Sequence, residues 1–385
     1  DSGQQEILAA AADADVVVLR LLGGKRAMPE AFDPLVRLCH EKGKPLIACP
    51  GHEEWDEELI AACNVPPSEL DAVFSYMIRG GVPNFQNLFL FLSDSYLGSE
   101  YGHEAPAEVP WEGVYHPDEP DGMDAQDFVK RRFHPDHPNI AVLFYRAHWM
   151  SGNLQTVDTL VRRLEDLGAN VLPVYSFSLK HNPEGDGKVN RTFSEILCDS
   201  EGKSRVHCII NTMGMSMTDL QQDGATFATG PQVDYLDQLN VPVIQGIFST
   251  GKESEWEESS LGLGPIDTAM SVALPEFDGR IITVPISFKE EVASEANGRG
   301  GKMDARLQRN LPRPDRIDFL ARLTVKWASL RLKPNSEKRI AIILSNYPTK
   351  DARVGNAVGL DTPASVINVL NAMKDAGYHV TDIPA

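Results

Sequence analysis

The sequence predicts an α/β fold: repeated β-α-β units forming several Rossmann-like or flavodoxin-like parallel sheets. Three observations predict it. Short apolar, β-branched runs alternate with amphipathic helical patterns. Several of those runs lack the polar alternation of a half-exposed strand, as expected for strands covered on both faces. The order strand, polar loop, helix, glycine, strand recurs along the chain.

The first unit starts at residues 14–21, ADVVVLRL, followed by GGK and the helical pattern PEAFDPLVRLCHEKGK, which Gly43 closes. PLIACPG is its second strand. In the second unit, NIAVLFY (139–145) is a strand and RAHWMSGN (146–153) a polar loop. LQTVDTLVRRLEDLGA is a helix with Val157, Leu160, Val161, Leu164 and Leu167 on one stripe, and NVLPVYSF is the next strand. VHCIINTMG (206–214) and VPVIQGIFS (241–249) are further strands, with DYLDQLN a short helical pattern between them. RIDFLARLTVKWASLRL places Ile317, Leu320, Leu323, Trp327 and Leu330 on one helical stripe. A third unit has strand RIAIILS (339–345), loop NYPTKDARVGNAVGLD, a helix from Thr362 with Thr362 as N-cap and Pro363 in its first turn, and a closing strand HVTDI. Residues 100–138, rich in Pro, Gly, Asp and His, read as a linker with one short helix near DAQDFVKRRF. The expected domains are 1–135, an N-terminal α/β domain with linker; 136–335, a middle α/β domain; and 336–385, the truncated start of a further one. The non-Met start and the end just after a strand suggest a piece of a longer protein.

Composition narrows the function. At 385 residues the chain is long enough for two or three cores, and 42% hydrophobic with 24% charged is ordinary for a globular protein. No stretch approaches the roughly 20 apolar residues that cross a bilayer, so no membrane role is expected. A net charge of −19 argues against nucleic-acid binding, which depends on cations paired with phosphates. Of five cysteines, none in a CxxC pair, Cys49 and Cys208 read as small core residues, and a reducing cytoplasm is the expected setting.

In parallel sheets ligands collect beyond the C-terminal ends of strands, so the polar residues there are the candidates. FYRAHWMSGN brings Arg146, His148, Ser151 and Asn153 to one strand end. His148 suits proton exchange, metal ligation or a ligand hydrogen bond, and equally a packing role beside Trp149. In SVALPEFDGR, Glu276 and Asp278 stand on a turn between Pro275 and Gly279, where a carboxylate can take a proton or bind a cation; solvated acids on a surface turn are the plain alternative. The loop at 346–361, with Asn346, Gly355, Asn356 and Gly359 ahead of a helix, suits an anion. It is neither GxGxxG nor GxxxxGK[ST], so a nucleotide fingerprint is absent. HPDHP, GHEEWDEEL and ESEWEESS read as turns and solvated acidic surface.

VVVLRLLGG, IACPG, GGVPNFQNLFLFL, AVLFYRAHWMSGN, NTMGM, PVIQGIFS, GLGPIDTAMSVALPEFDGRI and AIILSNYPTKDARVGNAVGLDTPAS, in this order, resemble the large subunit of aerobic cobaltochelatase and, more distantly, that of magnesium chelatase. The resemblance implies a subunit that holds a tetrapyrrole while a divalent metal enters it. ATP is hydrolysed by separate AAA+ ATPase and companion subunits, in keeping with the missing P-loop. It implies Co2+ as substrate metal and hydrogenobyrinic acid a,c-diamide as ring, on the aerobic route to cobalamin; the magnesium branch takes protoporphyrin IX. The place of ALPEFDG in the resemblance implies Glu276 as base or second metal ligand, with Asp278 as its stand-in, and the chemistry of Co2+, suited to imidazole and carboxylate, makes His148 the candidate metal ligand. Arg146, Asn153, Asn346, Gly355 and Asn356 would hold the ring. Two other classes fit the repeated units: a passive two-lobed small-molecule binding protein, and a sugar transferase, for which no donor-nucleotide signature is visible.

Overall fold

The computed structural model describes all residues except 1, 53, 180–189, 218, 221–226, 229–235, 293–306, 346–354, 356–358 and 385; the side chains of residues 2, 120, 121, 219, 220, 227 and 228 are likewise not described. The mixed α/β class expected from the sequence is observed. The chain divides into two compact units: Asp1–Trp111 with Ala147–Gly152, and Glu112–Arg146 with Asn153–Ala385.

The first unit holds α1 (Ser2–Asp13), β1 (Val17–Leu21), α2 (Phe32–Glu41), β2 (Leu46–Pro50), α3 (Glu57–Ala62), α4 (Pro67–Arg79) and α5 (Val82–Tyr96). β1 and β2 pair in parallel, as the first β-α-β reading requires. Every residue of β2 is buried, Cys49 among them, and burial pushes its thiol up to about 12, so it is an inert core group. Asp56 caps α3, accepting from the Glu58 and Leu59 N–H groups. Buried Asn84 straps residue 107 to α5: its amide donates to the Gly80 and Ala107 carbonyls and accepts from the Ala107 N–H. Gly51, at the end of PLIACPG, donates its N–H to the Leu21 carbonyl. A Cβ on Gly51 would lie 2.7 Å from the Leu22 Cα and 2.9 Å from its nitrogen, so this crossing tolerates no side chain.

The second unit is organised by an eight-stranded sheet. It contains β3 (Glu112–His116), β4 (Glu119–Met123), α6 (Ala125–Arg132), β5 (Asn139–Tyr145), α7 (Arg146–Met150, of which all but Arg146 belongs to the first unit), α8 (Gln155–Asp166), β6 (Asn170–Ser176) and β7 (Cys208–Asn211). β8 (Asp219–Leu220) and β9 (Phe227–Ala228) form a separate small antiparallel pair. β10 (Val243–Phe248), α9 (Glu253–Glu258), α10 (Pro265–Thr268), α11 (Leu274–Glu276), β11 (Ile281–Val292), β12 (Leu307–Pro312), α12 (Pro314–Leu332) and α13 (Thr362–Asp375) follow. The strand order is β12-β11-β10-β7-β5-β6-β3-β4. β6, β5, β7, β10 and β11 run parallel; at the margins β12 pairs antiparallel with β11, β3 antiparallel with β6, and β4 antiparallel with β3. Taken in chain order, the parallel strands are arranged 2-1-3-4-5, the flavodoxin-like order, whose topological switch point lies between β5 and β7.

Several expectations are corrected. Residues 112–123, read as linker, are the β3–β4 hairpin; short strands at a sheet margin carry little apolar signal. A charge cluster fastens the hairpin: fully buried His116 meets Glu165 of α8 at 3.0 Å, and Arg132 of α6 reaches Glu165 and Asp118. On α12 the buried residues are Ile317, Leu320, Ala321, Thr324 and Ala328, while Trp327 and Leu330 are exposed. The small residues face the sheet because the helix lies close on it; a Cβ on Gly246 of β10 would lie 3.0 Å from Leu320. The third unit forms its helix, but Asp361, not Thr362, is the N-cap, accepting from the Ala364 N–H. Residues 339–345 and 379–383 are not strands; among the described residues neither has a ladder partner, and Ile343 is 90% exposed. A strand needs a neighbour for its N–H and C=O groups, and local sequence does not supply one.

Two outcomes follow for stability. Gly51→Ala is expected to cost roughly 1–3 kcal/mol, because backbone must move to admit the methyl group; urea denaturation measures it, and an unchanged midpoint contradicts the crossing geometry. Burial raises the pKa of Glu165, but His116 and Arg132 outweigh it, and the folded value lies below the ordinary 4.5. The carboxylate therefore stabilises the fold above that ordinary value, and the contribution is lost as pH falls through the lower folded one. Glu165→Gln should flatten the acid limb of a stability-against-pH curve; an unaltered limb would show that the Glu165 carboxylate is not held by its partners.

Candidate functional site

The loops after β7 and β10 are tied to residues 265–280 by two carboxylates. Asp267, buried on α10, accepts from the Ser249 hydroxyl at 2.6 Å, the Thr250 hydroxyl at 2.8 Å and the Thr250 N–H. Asp278, whose side chain is 0% exposed, accepts from the Ser216 hydroxyl at 2.7 Å and from the Met217 N–H with both oxygens. Arg280 closes on Asp278 at 2.5 Å and is itself 2% exposed. Its other terminal nitrogen donates to Gln245 Oε1 and to the Met213 carbonyl, each at 3.1 Å. That carbonyl also takes the amides of Asn211 and Gln245, both at 3.0 Å. Burial pushes the Arg280 guanidinium down and Asp278 pushes it back up. A charge this deep is stable only with its partner in place.

Between the two carboxylates the helix widens into a π-turn, residues 269–273, with the Leu274 N–H donating to the Ala269 carbonyl. In that register the Met270 carbonyl would look to residue 275, which is proline and has no N–H. The freed carbonyl accepts instead from the Met215 N–H at 2.7 Å. Tyr145, at the end of β5, donates its hydroxyl to the Gly214 carbonyl at 3.3 Å, and burial raises its pKa. A cavity of about 130 Å³ lies here, lined by Tyr145, Ser178, Met215 and Arg280 among others. It sits at the C-terminal ends of β5 and β7, the switch point at which ligands of this strand order bind.

The structure distributes the expected site residues as follows. Glu276 is exposed at the end of α11, two residues before Asp278, and no hydrogen bond or ion pair of its side chain is found among the described residues. Asp278 is enclosed and fully used. Arg146 is buried, 5% exposed, and its charge acts on Tyr175, whose hydroxyl burial pushes up to about 12. His148 is half-buried on α7 and belongs to the first unit, whereas Glu276 belongs to the second. The Asn153 amide is occupied by Asn310 of β12, donating to its side chain at 2.9 Å and accepting its N–H at 3.0 Å. Gly355 has φ 68° and spends its N–H on the Ser345 carbonyl at 2.7 Å. Asn346 and Asn356 lie outside the described residues. Among the described residues no three His, Cys, Asp or Glu side chains are grouped as a metal cage.

Arg280, Gln245, Asp267 and Met215 were not singled out in the sequence. Gln245 and Met215 fall inside the strand-end stretches where ligands are expected; Asp267 and Arg280 give no local signal, since their partners are distant in the chain. Asp278→Asn, which leaves Arg280 unmatched, is expected to cost about 3–5 kcal/mol in urea denaturation, with partial recovery in Asp278→Asn/Arg280→Met. A cost within experimental error would remove the pair from the framework.

Comparisons with known proteins identify the family. A family model described as CobN/magnesium chelatase matches residues 74–385. The chain is 34% identical over 97% of its length to the aerobic cobaltochelatase subunit CobN of Pseudomonas aeruginosa, covering 28% of that protein. It is 26% identical over 97% of its length to a magnesium-chelatase subunit of Rhodobacter capsulatus, covering 32% of it. The catalytic subunit of cobaltochelatase from Mycobacterium tuberculosis superposes with a TM-score of 0.70 at 33% identity, over 100% of this chain and 29% of that one. The chain thus spans less than a third of the length of these relatives. Among the described residues no helix is long and apolar enough to cross a membrane. By its sequence and its fold, the chain belongs to the CobN/magnesium chelatase family.

Proposed function

We propose that this chain is a ring-holding part of the large subunit of an ATP-dependent cobaltochelatase, acting in the cytoplasm on hydrogenobyrinic acid a,c-diamide with Co2+ as the substrate metal. The observation that carries the reading is the 34% identity to a cobaltochelatase subunit across 97% of the chain, against 26% for a magnesium-chelatase subunit. ATP is assigned to AAA+ and companion partner subunits, because no P-loop is present in the sequence.

Metal insertion removes two protons from ring nitrogens, strips water from the ion and bends the macrocycle; catalysis requires a proton acceptor and a surface favouring the bent ring. Glu276 has the accessibility that a proton acceptor for a bulky ring needs. Asp278, enclosed and matched by Arg280, is better suited to holding the turn that presents Glu276. Exposed Met215, Met270 and Phe277, from the two segments joined by the Met215–Met270 hydrogen bond, offer apolar surface for a flat ring. His148 retains the role of transient imidazole ligand for cobalt, an ion suited to nitrogen and carboxylate donors. Arg146 supplies positive charge for ring carboxylates. Asn153 is assigned to bracing β12, and the backbone around Gly355 to closing its own loop. Asn346 and Asn356 remain proposed ring contacts.

The test is Glu276→Gln in the reconstituted three-subunit system. Chelation is expected to fall at least about a hundredfold while ring affinity persists; unchanged chelation removes Glu276 from catalysis. Binding of a sugar nucleotide in place of either ring, or ring binding without chelation by the wild-type assembly, would favour a non-chelatase reading.

A further inference from the structure

Met215 has a left-handed backbone, φ 67°, which L side chains adopt at a cost. Asn240 and Asp382 share that region, but short polar side chains offset the cost by local hydrogen bonding; a methionine has no such bond to make. Burial does not offset it either, since Met215 is 47% exposed. Glycine would sit here without strain. The conformation is imposed from every side. The Met213 carbonyl is held by Asn211, Gln245 and Arg280, and the Gly214 carbonyl by Tyr145. The Met215 N–H is held by Met270, and residues 216 and 217 by Asp278. Strain that the surroundings enforce on an exposed side chain points to a role for that side chain.

The cavity that Met215 lines supplies the role. Its 130 Å³ is room for about four water-sized groups, far less than a macrocycle but enough for one short side arm. Methionines 213, 215 and 217 give apolar walls, and Tyr145, Ser178 and Arg280 polar ones. The charge of Arg280 is already matched by Asp278, so a second carboxylate entering here would be a buried charge without a cation of its own, whereas a neutral amide brings no charge to desolvate.

We propose that this cavity is a subsite for one peripheral arm of the tetrapyrrole, that it prefers an uncharged amide end to a carboxylate, and that Met215 is held strained because its thioether walls the arm. The subsite rests on the ring-binding reading above.

The experiment titrates the 385-residue chain, as wild type, Met215→Gly and Met215→Leu, with metal-free hydrogenobyrinic acid a,c-diamide and with the corresponding ring bearing free carboxylates at those arms. Thermal midpoints are recorded alongside. The wild type is expected to prefer the diamide. Met215→Gly should melt at or above the wild-type midpoint yet bind the diamide about tenfold more weakly, with the preference reduced; Met215→Leu should keep most of the affinity. A lower midpoint for Met215→Gly, wild-type affinity in that variant, or equal binding of both rings by the wild type each overturns the subsite. Binding of neither ring by the wild type overturns the ring-binding reading, and the subsite with it.

Discussion

Two buried carboxylates, Asp267 and Asp278, hold the candidate site together. Each gathers a hydroxyl and a backbone N–H from a loop that follows a parallel strand, and each lies on residues 265–280. The loops after β7 and β10 therefore do not move independently of the turn that carries Glu276. The charge on Asp278 is tolerable at that depth because Arg280 is paired with it, and Arg280 in turn gathers the polar ends of β7 and β10 through Gln245 and the Met213 carbonyl. Removing one member exposes the desolvation cost of the other, so the network acts as a unit. Rigidity of this kind keeps the backbone turn that carries an exposed carboxylate in place while the groups behind it stay dry.

Pro275 sets the geometry between the two carboxylates. By lacking an N–H it frees the Met270 carbonyl, which reaches out of the π-turn to the Met215 N–H. A single residue type in ALPEFDG thus links the helix to the loop after β7 and contributes to the left-handed backbone at Met215. The chemistry proposed for Glu276 and the backbone strain at Met215 are two consequences of the same hydrogen-bonded frame.

Much of the fold was legible in the sequence. The runs at 139–145, 206–214 and 241–249 supply the strands Asn139–Tyr145, Cys208–Asn211 and Val243–Phe248, because unbroken apolar, β-branched sequence has no stable place except between covering layers. The stretch PLIACPG was legible for the same reason, as was the helix at 155–166. Elements that depend on distant partners were not. RIAIILS has the composition of a strand and is none, since pairing is a property of the neighbour. The β3–β4 hairpin is held by His116, Glu165 and Arg132 from three elements, and so looked like a linker. On α12 the large apolar residues suggested one face, but closeness to the sheet selected Ala321, Thr324 and Ala328 instead. At the site, Glu276 and Asp278 were visible as a pair on a turn. Their division into one exposed and one enclosed carboxylate was not visible, because it follows from Arg280, Ser216 and Met217 meeting in three dimensions.

The proposed seat of a metal-free tetrapyrrole is the surface over the C-terminal ends of β5, β7 and β10, against the frame built on Asp267 and Asp278. Hydrogen exchange of the chain with and without hydrogenobyrinic acid a,c-diamide probes that seat, because the backbone amides of residues 212–217, 249–251 and 274–280 report on that surface separately from the rest. Slowed exchange in these segments together is expected when the ring binds. Ring binding that leaves all three unchanged, with protection confined to residues 333–345 and 362–381 or to the first unit, would contradict it.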